Sequence, residues 1–288
     1  MPTKSASPAA KCAVWSLAVT VVLYCQTAQA VIESSDSFAY SPIGSDLLGK
    51  SGGGGWNGPW SAGGFNASIN MNFDIAGGTL SYPGLAPSGE RVASASQNAI
   101  SGVTRPLGTP ILAGQTTTRY LSVLLRLDGP LNVGAFNGFF GVYLDGGTVA
   151  QDDLFIGKAG AGQLAQWVVE TRGGAGQISS GEPVVMGQTS LLVLKADLRP
   201  GADTFSLLAN PALPGVEPNV YDAVKSDLDL GQLNGINIYS TGQFSVDEIR
   251  WGETYADVTP VPEPGTAALF VVGALTASCA ARRLRNRR

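Results

Sequence analysis

The sequence predicts an all-β protein built as a two-sheet antiparallel sandwich. Short runs of β-forming residues alternate with period two, and Gly, Pro and Asn punctuate the chain between them. No stretch of the central region keeps a 3.6-residue apolar period for three turns, which argues against parallel α/β architecture. The 38 glycines and 17 prolines among 288 residues put glycine at roughly twice its usual ~7% and favour turns over long helices. Stacking two sheets face to face is the natural way to bury such half-apolar strands.

Taken in order, the chain opens on Lys4 and Lys11 before the apolar run Cys12 to Tyr24, followed by Ala28-Gln29-Ala30. A basic start, an apolar centre and small residues at alternate positions predict a signal peptide over 1–30, cut before Val31 by signal peptidase, with Ala28 and Ala30 as the recognition residues. Cys25 follows Tyr24 rather than a small residue, so a lipoprotein signal does not fit. Strands are expected at Tyr120 to Leu127, Gly138 to Leu144, Leu154 to Gly157, Gln166 to Glu170, Leu191 to Leu198, Thr204 to Ala209, Gly235 to Tyr239 and Gln243 to Trp251. In the first of these, Leu121, Val123, Leu125 and Leu127 share a face, and Tyr120, Ser122, Leu124 and Arg126 the other. Turns are expected at Asp145-Gly146-Gly147, Arg172-Gly173-Gly174, Arg199-Pro200-Gly201-Ala202-Asp203 and Asn210-Pro211. No internal repeat is evident.

The last element, 261–288, is the quartet Val261-Pro262-Glu263-Pro264, the uncharged apolar run 266–281, and the basic cluster Arg282, Arg283, Arg285, Arg287 and Arg288. Positive charge stays on the cytoplasmic side of a bilayer, so this reads as a transmembrane helix with stop-transfer character. The run of 16 residues is shorter than the roughly 20 that span a bilayer comfortably, a gap that snorkelling arginines can close. A simple membrane anchor is the alternative.

The part between these ends, 31–260, is long enough for one large all-β domain. It holds 11 basic and 21 acidic residues, a balance near −10, which repels nucleic acid and anionic lipid. All three cysteines, Cys12, Cys25 and Cys279, fall outside it, so it is stabilised without disulfides. Histidine is absent from the whole chain. That excludes His-based zinc sites, Ser-His-Asp triads and Cys-His pairs.

Three segments carry a resemblance: Asp36-Ser37-Phe38-Ala39-Tyr40, the stretch Ser51-Gly52-Gly53-Gly54-Gly55-Trp56-Asn57-Gly58-Pro59-Trp60, and Phe244 to Thr254 with Val258-Thr259-Pro260. They resemble the borders of a bacterial exported jelly-roll module similar to laminin-G and concanavalin-type sandwiches. The tail resembles the PEP-CTERM sorting domain. That resemblance implies processing by an exosortase, a membrane cysteine protease of bacteria that make exopolysaccharide.

Several residue groups invite a chemical reading. Gly44 to Ser51 matches the G-x-x-x-x-G-K-S phosphate-loop pattern, but four glycines follow where a helix must hold the phosphates, so no nucleotide is expected. Trp56, Trp60 and Phe65 lie in a Gly-rich stretch; their faces either stack on sugar rings or plug the end of the sandwich. Trp167, Phe205 and Trp251 lie on strands as packing residues. Glycoside hydrolysis needs two carboxyls about 5 to 9.5 Å apart, and the Glu-x-Asp-x-x-Glu pattern of concanavalin-like hydrolases is missing. Asp227 with Asp229, or Asp247 with Glu253, share strand parity, whereas Glu248 and Glu253 do not. Asp145, Asp152 and Asp153 in a turn-rich segment are the one calcium candidate, and no other cofactor is expected. Asn66-Ala67-Ser68 is a glycosylation sequon only in a host with that machinery.

The expected function is that of a noncatalytic cell-envelope or extracellular matrix protein. It is exported, held at the inner membrane at least transiently with its domain outside the cytoplasm, and linked to exopolysaccharide or surface assembly. A carbohydrate-binding module of the same fold is the alternative, and a carboxylate-dependent polysaccharide-degrading enzyme a third reading.

Overall fold

The computed structural model describes residues 32–63, 73–94, 101–146, 153–213 and 216–260. The expected signal peptide with Ala28 and Ala30, the sorting quartet, the apolar run and the arginine cluster lie outside the described residues, as do Phe65, Asp152 and the sequon. Among the described residues, no helix is long and apolar enough to cross a membrane.

Among the described residues, fifteen strands form two antiparallel sheets. One sheet runs in the order β13 (Ala223–Lys225), β12 (Thr204–Ala209), β11 (Thr189–Leu198), β6 (Thr117–Leu127), β15 (Phe244–Gly252), β4 (Arg91–Ser94) and β3 (Phe73–Ala76), with β1 (Ile32–Asp36) also beside β15. The other runs β10 (Ala175–Pro183), β9 (Gln166–Thr171), β8 (Leu154–Lys158), β7 (Phe140–Asp145), β14 (Leu233–Ser240), β5 (Ser101–Ile111) and β2 (Ser61–Ala62). This is the expected two-sheet sandwich. All eight strands read from the sequence are present, with boundaries that differ by a few residues; Gly138, for example, belongs to the turn before β7.

Between the sheets, alternate residues interlock. On β6 and β11 the pairs Leu121 with Leu194 and Val123 with Leu192 face the core. Across the sandwich the Phe140 ring of one sheet stacks on the Phe244 ring of the other, with centroids 4.7 Å apart. Trp167 meets Phe140 edge-on at 5.8 Å, and Phe73 meets Phe244 edge-on at 6.1 Å. Aromatics of this size bury roughly 150–250 Å² each, so this spine supplies much of the apolar stabilisation.

The second face of the eight-stranded sheet differs from a solvated one. Tyr120, Leu124, Leu191, Val193 and Leu208 are buried there beneath Leu80, Leu85, Tyr255 and Val258. The cover comes from an irregular loop and from the C-terminal helical turn Tyr255–Val258, which Thr254 and Asp257 close by a capping box. Neither has a period that announces burial. The loop is held by Asp247, whose carboxylate accepts from Thr79 Oγ1 at 2.7 Å and Leu80 N at 2.8 Å, and by Glu248, which accepts from Ser88 N at 2.5 Å. Burial pushes the Asp247 carboxyl up to about 7, the nearby Glu248 charge adds to this, and its hydrogen bonds oppose it.

Asp247 and Glu248 sit on a β-bulge, where Glu248 takes φ +50° and the register with β6 shifts. The shift also marks a change of neighbour: β4 pairs with β15 before it and β1 after it. An extra residue reverses the alternation. Val246 and Ile249 therefore both face the core, and the parity that put Asp247 with Glu253 does not run through.

A buried ion pair joins the two sheets at one end. Asp36 on β1 is 1% exposed and Arg105 on β5 is 2% exposed; the Arg105 Nη1 group meets Asp36 Oδ2 directly. The same carboxylate accepts from Tyr40 Oη at 2.6 Å, Trp60 Nε1 at 2.8 Å and Phe38 N at 2.8 Å. Arg105 donates further to Gly58 O at 3.1 Å and Gly52 O at 2.8 Å. Losing one partner leaves the other charge buried and unpaired. We expect Arg105→Met to lower unfolding free energy by about 3–5 kcal/mol in denaturant titration, and Asp36→Asn combined with it to cost less than the sum of the two single changes.

Candidate functional site

The two tryptophans read as either sugar platforms or an end plug are drawn inward. Trp60 is 1% exposed, stacks on Phe38 and donates to Asp36, so its faces are closed to a ligand. Trp56 is half-buried, donates to Ser35 O at 2.9 Å and lies under the Arg105 guanidinium, 5.1 Å from its ring centroid. Both plug the end of the sandwich, the other role that the Gly-rich setting allowed. Trp167, Phe205 and Trp251 are core residues.

In the Gly44–Ser51 segment no helix follows, and the amides are committed: Gly44 N to Ile75 O, Leu47 N to Phe73 O and Gly49 N to Trp60 O. Lys50 Nζ donates to Ser41 O at 2.8 Å. The segment runs along β3 as an edge rather than around a phosphate.

The acidic candidates disperse. Asp227 is exposed and pairs with Lys225 at 2.6 Å, Asp229 accepts from Gly231 N, and Glu253 is exposed beside Arg119. Asp247 and Glu248 are buried beneath the loop they hold. Of the calcium candidates, Asp153 is 2% exposed, accepts from Gly146 N at 3.1 Å and lies 3.9 Å from the Arg172 guanidinium. No group of three or more potential metal ligands occurs among the described residues.

What the strands bring together instead is a groove on the outer face of the seven-stranded sheet. On β7 the residues Phe140, Val142 and Leu144 face the core, which turns Gly141 and Tyr143 outward. A cross-strand row reads Gly157, Gly141, Tyr239 and Gly102 over β8, β7, β14 and β5. The glycines let rings lie close over the backbone: a methyl at Gly141 would sit 2.6 Å from the Phe155 ring, and one at Gly102 would sit 2.6 Å from the Tyr239 ring. Phe139, Tyr143, Phe155 and Tyr239 form one aromatic cluster, with Tyr143 to Phe155 at 4.7 Å and Phe139 to Tyr239 at 5.2 Å.

Above this floor lies a cleft of about 260 Å³ bounded by Phe136, Phe139, Tyr143, Tyr239, Glu170 and Arg172. Glu170 accepts from Gln177 Nε2 at 2.5 Å. Burial pushes its carboxyl up, while Gln177 and Lys225 oppose the shift. Burial draws the Arg172 guanidinium down, and Asp153 opposes that. Burial also pushes the Tyr143 and Tyr239 hydroxyls up, the opposite of what a tyrosine base for proton abstraction requires. Among the described residues lining the cleft, Glu170 is the single carboxylate, whereas glycoside hydrolysis uses two. The groove can stack on an apolar ring face and hydrogen-bond its polar edge.

One wall is strained. Phe136 (φ 48°, ψ 45°) and Asn137 (φ 58°, ψ 28°) are consecutive left-handed residues, followed by Gly138 at φ 61°. Such non-glycine conformations cost about 1–3 kcal/mol each and persist where surroundings over-determine them. Here Asn137 Nδ2 donates to Gly160 O at 3.0 Å, Thr241 N donates to Phe139 O at 2.9 Å, and the Thr241 hydroxyl donates to Ala135 O. Beneath the loop, fully buried Lys158 donates its ammonium to Asn137 O, and burial pushes it down to about 8. The result of this bracing is that Phe136 stands 65% exposed over the cleft.

A second cleft of about 440 Å³ lies near Glu33, Thr117 and Arg119. It is larger, but it has no aromatic wall, and its guanidinium is engaged by Glu33, Thr117, the Thr118 carbonyl and Glu253. The aromatic groove is the better-built site. If Lys158 braces the Phe136 loop, Lys158→Met should keep the fold, with an unchanged or higher thermal midpoint because a buried charge is replaced by apolar volume. Amide exchange at 134–138 should accelerate; unchanged exchange there would remove Lys158 from that role.

No protein-family model matches the chain, and no curated protein matches it. Among solved structures, it is similar to an endo-beta-1,4-glucuronan lyase from the fungus Trichoderma reesei, at 12% identity over 70% of this chain and 98% of that one, TM-score 0.41. Lectin II from Ulex europaeus matches at 10% identity over 65% of this chain and 93% of that one, TM-score 0.36. The VIP36 exoplasmic/lumenal domain in its Ca2+/Man-bound form matches at 9% identity over 60% and 81%, TM-score 0.35. At these scores the likenesses do not bear on function, and the sandwich stands on its own strand pairings.

Proposed function

We propose that the chain is a noncatalytic carbohydrate-binding protein of the cell envelope or extracellular matrix. In this reading the jelly-roll domain, of laminin-G or concanavalin type, holds a glycan in the groove of the seven-stranded sheet. The observation that carries it is the aromatic floor over a glycine row, walled by exposed Phe136 and ended by Glu170 and Arg172. A pyranose offers an apolar C–H face for the rings and hydroxyls for the charged pair, which is the division of labour expected of small-molecule sites. Exopolysaccharide is the partner that suits an exported, acidic domain without histidine.

The ends of the chain supply the rest of the proposal. Signal peptidase removes 1–30, and the apolar run 266–281 holds the protein at the inner membrane with its domain outside the cytoplasm. An exosortase-type protease then recognises Val261 to Pro264 and releases or transfers the domain to the cell surface. Support comes from the order of the Pro-Glu-Pro quartet, apolar run and arginine cluster.

Two outcomes are expected. Phe136→Ala should lower affinity for a bound polysaccharide about tenfold, measured by isothermal titration in calcium and in chelator. Thermal stability should hold, because the side chain is exposed; equal affinity of variant and parent removes the groove from glycan binding. Replacing Pro262-Glu263-Pro264 with alanines should leave membrane insertion intact and stop C-terminal processing, read by mass spectrometry of the mature terminus. Continued processing would leave only a simple anchor.

A further inference from the structure

We infer that the outer face of the eight-stranded sheet, around residues 216–224, is the surface that lies against the lipid bilayer, with the groove turned away from it. The inference rests on the reading of 266–281 as a membrane anchor. The described chain ends over this face. Ser122, an outward residue of β6, donates its hydroxyl to Val258 O at 2.7 Å, and Thr259 donates its amide and its hydroxyl to Tyr255 O at 3.1 and 2.7 Å. Pro260 follows directly, so the chain leaves over this sheet, whereas the groove opens on the other one. Five residues, 261–265, separate Pro260 from the apolar run, a reach of at most about 22 Å even when fully extended. Strand β6 alone, with 11 residues, is roughly 35 Å long. A link shorter than the domain keeps the exit face beside the bilayer and leaves both sheets between the bilayer and the groove.

The same face carries the two most exposed large apolar side chains among the described residues, Val216 at 90% and Val220 at 80%. Val224 adds a third, in a cross-strand row with Ser206, Lys195 and Tyr120. Glu217, which lies between the first two valines, fastens their loop to that row. Its carboxylate accepts from Tyr120 Oη at 2.8 Å and from the Tyr221 hydroxyl, and meets Lys195 Nζ at 3.4 Å. Leu213 and Tyr221 pack on the buried cluster that holds Tyr255 and Val258, so the loop and the point of exit are neighbours. The loop thus turns its carboxylate to the sheet and its valines outward. Exposed apolar side chains of this kind suit a bilayer interface. The short link makes their contact intramolecular, at an effective concentration on the order of millimolar, so a weak contact is enough. The domain's balance near −10 works against anionic lipid, which leaves zwitterionic headgroups as the surface that fits.

The test uses the exported protein with its tail retained, purified from the membranes of a host that lacks the processing protease and returned to phosphatidylcholine vesicles. With Cys12, Cys25 and Cys279 replaced by serine, a single nitrobenzoxadiazole label is placed at Val216→Cys, at Val220→Cys or, on the groove rim, at Phe136→Cys. All three side chains are exposed, so the fold should tolerate each change. In protein that floats with the vesicles, emission at 216 and 220 should shift to the blue and be quenched by a headgroup-region lipid nitroxide at least about threefold more strongly than at 136. Quenching at 136 that equals or exceeds that at 216 and 220 overturns the inference while the anchor stands. Protein that does not float with the vesicles overturns the anchor reading itself.

Discussion

The ion pair of Asp36 and Arg105 is the constraint from which the rest of the sandwich follows. One partner lies on the first strand of the eight-stranded sheet, the other on a strand of the seven-stranded sheet. Two charges removed from water are costly unless each remaining lone pair and proton is met. That requirement recruits Tyr40, Trp60, Phe38 and the carbonyls of Gly52 and Gly58 into one place. A Gly-rich segment with little apolar content thereby acquires a single conformation, with Trp56 and Trp60 layered against the guanidinium.

The outer faces of the two sheets are used differently. On the eight-stranded sheet, Asp247 and Glu248 draw an irregular loop down onto leucines and valines, so the middle of that sheet is covered on both sides. On the seven-stranded sheet, glycines at outward positions leave no side chains of their own, and rings from neighbouring positions fill the space. Covering one face frees the other to carry a cleft, since stability no longer depends on what lies over it.

How far the sequence disclosed this varies from strand to strand. Tyr120 to Leu127 and Leu191 to Leu198 are dense in leucine and valine, and their pairing partners are equally apolar, so local pattern and packing agree. The strand Ser101–Ile111 contains Pro106 and two glycines, and Ala175–Pro183 is an edge strand of small and polar residues; both are held by neighbours rather than by β-propensity. The bulge at Glu248 defeats any argument from alternation across it. Trp56 and Trp60 stood out because tryptophan among glycines looks exposed, but their indole N–H groups found acceptors within the protein, the partly buried Ser35 carbonyl and the buried Asp36 carboxylate. The groove was written more quietly, in the alternation of Phe140, Val142 and Leu144 with Gly141 and Tyr143: a large aromatic on the side away from the core needs a use. What alternation cannot convey is that Tyr239 and Glu170 lie in the same cleft as Tyr143, because that depends on strand order.

The first strand, Ile32–Asp36, takes its ladder partners from the last, with Ile32 opposite Gly252 and Asp36 opposite Ile249. A ribosome makes these at opposite ends of the domain, so the opening segment must wait through synthesis of nearly all the rest before it can dock. An orphan strand is ordinarily a seed for misassociation. This one reads Ile-Glu-Ser-Ser-Asp, too charged and too hydrophilic to recruit a stranger, and so it can afford the delay.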